Sequence, residues 1–220
     1  QFSTAEKLAT YIPYFAGSNK GGLLMEDILT HQAGLTPTIG FWTNTLKKNG
    51  ELKRTVYRRE QTDRFNIMVT GDIYLKAKFR DNMLKEIAKS PLTEHGKYVY
   101  SDLGFMVSPL AVENITGEGF TTFLKENVYS KIGADNLVFN PLTTYPTNML
   151  VPTELDGSFR GELIRGTVHD EAAAMFGGVA GHAGLFATGN DLMKLLEMYR
   201  RMGSYGGEQI IDSAVLLRYS

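Results

Sequence analysis

The chain has 220 residues, enough for one large domain or two small ones and ample for a buried core. Hydrophobic residues at 43% and charged residues at 21% describe an ordinary globular protein. The 23 basic and 24 acidic side chains leave a formal charge of −1, which excludes a global field drawing the chain to nucleic acid or an anionic membrane. The basic pairs Lys53-Arg54 and Arg58-Arg59 are short and interrupted, and read as a solvated loop face.

Cysteine is absent, so disulfides, thiolate metal sites and a cysteine nucleophile are ruled out. Such a chain suits an oxidising compartment such as the periplasm. No apolar run reaches the roughly 18 residues needed to span a bilayer, and no signal-peptide pattern occurs. Gln1 opens in a helix-like register (Phe2, Leu8, Tyr11, Ile12) and the chain stops within another, 212–217. Both ends read as cuts.

In chain order, Leu24, Met25, Ile28 and Leu29 share one face of a short helix stopped by Gly34. Met83, Leu84, Ile87 and Ala88 predict a helix over 81–89, opened by Asp81 and ended by Ser90-Pro91. A short strand over 97–99 leads into a third helix, whose stripe Leu103, Met106, Val107 and Leu110 runs to Gly117. Pro109 should kink or split it by removing one backbone donor.

Phe120, Phe123, Leu124 and Val128 predict a fourth helix, and Leu192, Leu195, Leu196, Tyr199 and Met202 a fifth, with Thr188 and Asp191 in capping-box positions and Gly203 closing it. Asp156-Gly157, between 151–153 and Leu163-Ile164, predicts one hairpin. Alternating β patterns are otherwise scarce. The expected fold class is therefore mainly α: one helical domain over 1–220 with a small β-hairpin.

Tyr100-Ser101-Asp102 sits at a strand-to-helix turn, where amide donors are partly free and side chains face outward. A tyrosine acts as a base only if nearby cations bring its pKa well below roughly 10. The competing reading is that Ser101 or Asp102 caps the helix while Tyr100 packs on the core. His169-Asp170 and His182 invite a metal reading, yet no His-x-x-x-His or comparable spacing occurs. Their expected role is to orient loops by hydrogen bonds to backbone, with no cofactor. Gly177-Gly178 and Gly181 lack the lysine context of a phosphate cradle.

Three segments in order carry a resemblance: 28–35, with Thr30-His31-Gln32-Ala33-Gly34-Leu35; 100–105, with Tyr100-Ser101-Asp102; and 177–195, with Gly181-His182-Ala183-Gly184-Leu185-Phe186. They resemble the class C-type β-lactamase, penicillin-binding protein and esterase family of serine hydrolases. Within it the chain looks closest to the C-terminal module of Bacteroidetes family 3 glycoside hydrolase (β-N-acetylglucosaminidase) fusions.

The resemblance implies acyl transfer on a β-lactam, a peptidoglycan peptide or an ester, in a periplasmic or secreted parent. The machinery it implies is Ser-x-x-Lys, Tyr-x-Asn and Lys/His-x-Gly. No serine here has lysine three places on. Tyr100 and Asp102 take the Tyr and Asn places as catalytic candidates, aspartate lacking the amide donor and adding charge. Ser101, His182 and Gly184 are substrate-binding candidates. His182-Ala183-Gly184 matches the third pattern by letters but leads straight into a helix, so it is expected to form part of a glycine-rich rim.

The resemblance further implies that this piece is an inactive helical domain. Its partner would be the α/β domain of a longer chain, and a newly exposed apolar face would promote self-association. The alternative is a non-catalytic module binding cell wall or carbohydrate.

Overall fold

The computed structural model describes residues 2–219; Gln1 and Ser220, the ends read as cuts, lie outside the described residues. The helices are α1 (Leu8–Tyr11), α2 (Met25–Leu29), α3 (Phe79–Lys89), α4 (Asp102–Thr116), α5 (Phe120–Leu124), α6 (Glu171–Met175), α7 (Gly189–Arg200) and α8 (Ser213–Tyr219). The strands are β1 (Tyr57–Arg58), β2 (Phe65–Thr70), β3 (Ile73–Lys76), β4 (Val138–Phe139), β5 (Pro152–Asp156), β6 (Glu162–Arg165), β7 (Leu185–Phe186), β8 (Ser204–Tyr205) and β9 (Glu208–Gln209). No helix among the described residues is long and apolar enough to cross a membrane.

At 39% helix and 17% strand, the structure corrects the expected mainly-α class. The expected hairpin is present as antiparallel β5–β6, with Leu155 opposite Leu163. Unexpected is an antiparallel sheet in the order β1-β3-β2. Its pattern escaped detection because register shifts fall between Phe65 and Ile67 and between Met68 and Thr70. Each shift breaks the alternation by which a half-buried strand is recognised. The residues 97–99 pair no strand; Val99 N donates instead to the carbonyl of His31 at 2.9 Å.

The chain divides into two compact units, one of Gln1–Gly117 with Asn140–Gly184, the other of Glu118–Phe139 with Leu185–Ser220. In the first unit α4 is the central helix, burying Leu103, Met106, Val107 and Ala111 in the main core. Leu103, Met106 and Val107 each contribute about 1.5–3 kcal/mol on burial. Gly104 lets α2 approach closely, since a Cβ there would lie 2.5 Å from Ile28 Cγ2. Ser101 caps α4 by accepting from Leu103 N at 3.3 Å, and Gly117, in the left-handed region at φ 74°, closes it.

Pro109 does not split α4. The carbonyl it leaves unbonded, that of Phe105, accepts from Gly181 N at 3.1 Å and from Ser108 Oγ at 2.9 Å. The missing helix bond is thereby replaced by a tertiary one, which seats the glycine-rich segment on α4.

The second unit has its own small core of Tyr129, Ile132, Ala134, Leu137 and Met198. Thr188 caps α7 by accepting from Asp191 N at 3.2 Å. The Asp191 carboxylate does not complete a capping box: it accepts from Asn136 N at 2.9 Å and Asn136 Nδ2 at 2.7 Å. The buried side of α7 accordingly carries Asp191 and Met198, while Leu192, Leu196 and Tyr199 of the helical repeat face outward.

Candidate functional site

The Tyr100-Ser101-Asp102 segment is strapped to residues 31–37. Ser101 Oγ donates to Thr36 O at 2.7 Å, Ser101 N donates to His31 Nδ1 at 3.2 Å, and Asp102 N donates to Pro37 O at 3.1 Å. The Ser101 hydroxyl is thus committed on both sides and buried, so this candidate organises the turn from inside.

Tyr100 is not packed into the core. It is 58% exposed, with its ring lying 4.5 Å from that of His31. His31 touches Phe105 as well, ring centroids 5.2 Å apart, and so wedges between the helix and the phenol. Because His31 Nδ1 accepts an amide proton, the neutral ring carries its own proton on Nε2. His31 adopts φ 58°, a backbone cost that a non-glycine residue bears only where its surroundings over-determine it.

The Tyr100 pKa is pushed above its ordinary value, first by the Asp102 charge, then by burial, by the hydrogen-bonding attraction of the phenol to Asp102, and by Tyr98 and Asp170. At neutral pH Tyr100 is a hydrogen-bond donor, and among the described residues no cation offsets this.

His182 and Asp170 form a second pair. Their side chains meet at 3.2 Å, with His182 only 5% exposed and its Nδ1 buried without a partner. His182 therefore bonds a carboxylate and not, as expected, backbone. Asp170 also caps α6 through Ala173 N at 2.6 Å. Burial raises its pKa, but the His182 hydrogen bond, the Ala173 N–H and the charges of His182 and His169 bring the net value below the ordinary one. Asp170 is also among the groups raising the Tyr100 pKa.

The segment 181–184 is not a strand. Gly181 must be glycine: a Cβ would lie 2.4 Å from Phe105 O and 2.6 Å from Ser108 Oγ. Gly184, at φ 113°, turns the chain just before β7. Among the described residues no group of three His, Cys, Asp or Glu side chains gathers to hold a metal. Asp170 and His182, named together in the sequence as a metal reading, do meet, as a hydrogen-bonded pair; His31 carried no such expectation. The available signals were a histidine at a helix end and an aspartate three residues before Ala173, in N-cap spacing.

A relative from Escherichia coli K12, provisionally named a D-alanyl-D-alanine carboxypeptidase, is 28% identical over 235 residues, covering 98% of this chain and 48% of the relative. A relative of the same name from Escherichia coli O157:H7 is 31% identical over 169 residues, covering 70% of this chain and 38% of its own. The chain thus spans about half the length of the curated relatives it matches.

Among solved structures, the octameric penicillin-binding protein homologue from Pyrococcus abyssi superposes with a TM-score of 0.62 at 15% identity, covering 98% of this chain and 42% of that one. The penicillin-binding protein from Bacillus halodurans gives 0.60 at 16%, covering 98% and 56%. These likenesses establish the fold. Because a family model described as Beta-lactamase also matches residues 1–217, the chain belongs to that family of penicillin-binding-protein-like serine hydrolases.

Proposed function

We propose that this chain supplies the Tyr-x-Asn side of a serine acyl-transfer site whose nucleophile lies on a Ser-x-x-Lys segment outside these 220 residues. The observation that carries the reading is Tyr100: solvent-facing, held against His31, and under the charge of its neighbour Asp102. With a lysine ammonium beside it the phenol would relay the serine proton to the leaving atom. Tyr100 and Asp102 are the catalytic candidates, and His182 and Gly184 belong to the rim. The substrate class is a peptidoglycan peptide, a lactam or an ester. A periplasmic parent, of the Bacteroidetes glycoside hydrolase fusion type, rests on sequence resemblance.

Taken alone the chain should not turn over. Removing a nucleophile leaves only binding and oxyanion effects. Incubated with a chromogenic cephalosporin and a labelled penicillin, the purified 220-residue chain is expected to give neither a saturable rate nor a penicilloyl mass adduct. Either one overturns this reading of the site.

One observation favours a non-catalytic binding module instead, namely the aspartate in the asparagine place that raises the Tyr100 pKa. Sedimentation with purified peptidoglycan separates the two: retention without acylation in a polypeptide that carries Ser-x-x-Lys selects the binding module.

The outward Leu192, Met193, Leu196 and Tyr199 of α7 support contact with further polypeptide, either a parent α/β domain or a second copy. The isolated chain is expected to self-associate in analytical ultracentrifugation. A monomer at every concentration counts against it.

A further inference from the structure

The first unit contains a cleft of about 870 Å³ that the acyl-transfer reading leaves unused. Its rim carries the cations Lys47, Arg54, Arg58 and Arg59 against one acid, Glu51, and its floor presents Tyr57 and Phe159. Two of those cations are matched: Lys47 meets Glu51 at 2.6 Å, and Arg59 pairs with Asp72. Arg58 stacks over Phe65 at 4.7 Å and spends one N–H on the Tyr57 carbonyl. Among the described residues neither Arg54 nor Arg58 has a carboxylate within ion-pair distance. Arg160 also lines the cleft, but Asp156 and backbone carbonyls occupy it, so it shapes the floor.

This concentration of cations is local, since the whole chain has a formal charge of −1. Of the two basic pairs, Arg54, Arg58 and Arg59 line the cleft and are exposed. Side chains of one sign around a concave, partly apolar wall focus the field into the cleft. Guanidinium groups match carboxylate and phosphate oxygens two at a time. The volume falls in the range of roughly 300–1,000 Å³ typical of small-molecule sites, and aromatic rings below a charged rim suit a ligand with an apolar part.

We propose that this cleft binds a small ligand bearing two negative charges, carboxylate or phosphate, beside an apolar ring or chain, with Arg54 and Arg58 as the principal contacts. The site stands independently of the acyl-transfer reading.

Trp42 offers a readout: it is the only tryptophan, and its ring lies 5.8 Å from Phe159 in the floor. The 220-residue chain is titrated with benzylsuccinate, phenyl phosphate and neutral benzyl alcohol, followed by Trp42 fluorescence and by calorimetry. Saturable binding of at least one dianion is expected, weakening as salt screens the cleft. The tighter of the two identifies carboxylate or phosphate as the source.

The Arg54→Gln/Arg58→Gln double variant, both positions being exposed, should keep its far-UV spectrum and bind at least tenfold more weakly. An Arg54→Glu variant should lose binding. Three results overturn the proposal: benzyl alcohol matching the dianions, the double variant matching wild type, or no saturable signal by either method below roughly 10 mM.

Discussion

Replacing Arg160 by methionine is expected to destabilise the first unit by about 3–5 kcal/mol, the cost of stranding a buried charge. The Arg160 side chain is fully inaccessible and that of Asp156 is 3% exposed, their ion pair closing at 2.7 Å. Arg160 also donates to the carbonyls of Val69 at 3.3 Å and Val168 at 2.8 Å, and to that of His169. One guanidinium therefore ties strand β2 to the stretch leading into Asp170. In the variant, three carbonyls lose donors and the Asp156 carboxylate keeps only the amides of Ser158, Phe159 and Arg160.

Urea unfolding followed by Trp42 fluorescence measures the loss, and an unshifted midpoint would show that the network carries no stability. Adding Asp156→Asn should cost less than the sum of the two single changes, because both remove the same pair.

Asp156 also sets the sign of the pH dependence. Burial raises its pKa, but the Phe159 amide, the Arg160 side chain and the Arg160 and Ser158 amides bring it below the ordinary 3.8. The stabilisation is therefore complete above the unfolded carboxyl value and is lost as pH falls through the folded one. Asp156→Asn should flatten that acid limb.

How much of this was legible in the sequence follows from the range of the interactions. Caps and breakers are local: Ser90-Pro91 ends α3, and Gly117 closes α4. The three family-like segments were readable in order, which sufficed to identify the family. Tertiary exchange was not readable. Pro109 signals a lost helix bond, but nothing local says that Gly181, seventy-two residues on, makes good the loss. Asp191 shows the same limit, since its capping spacing was right while its carboxylate is used by Asn136. The β1-β3-β2 sheet was hidden by its bulges. Of the candidate site, Tyr100, His182 and Asp170 were visible as residues, whereas the stacking of His31 on Tyr100 emerges only when the segments meet.

The neighbours of Tyr100 determine its behaviour. Its phenol should ionise above the ordinary tyrosine value in this chain, and Asp102→Asn should lower that pKa by removing the largest cause of the shift. With 11 tyrosines overlapping in absorbance, ring-carbon NMR of labelled tyrosine is the suitable measurement, Tyr100→Phe identifying the resonance. A Tyr100 titration that ignores Asp102→Asn would disprove the coupling.

The catalytic consequence is larger. Proton transfer by a positioned side chain contributes about 10²–10⁴-fold. In a polypeptide that also carries Ser-x-x-Lys, Tyr100→Phe should slow acylation by that factor while leaving the fold intact, because Tyr100 is largely exposed. Asp102→Asn should move the ascending limb of the pH–rate profile, set by ionisation of the phenol, to lower pH, whichever substrate is used. A raised phenol pKa is unsuited to proton abstraction at neutral pH, so an ammonium must be brought close enough to outweigh the Asp102 carboxylate. Acylation that survives Tyr100→Phe undiminished would remove this residue from the chemistry and leave it as part of the wall.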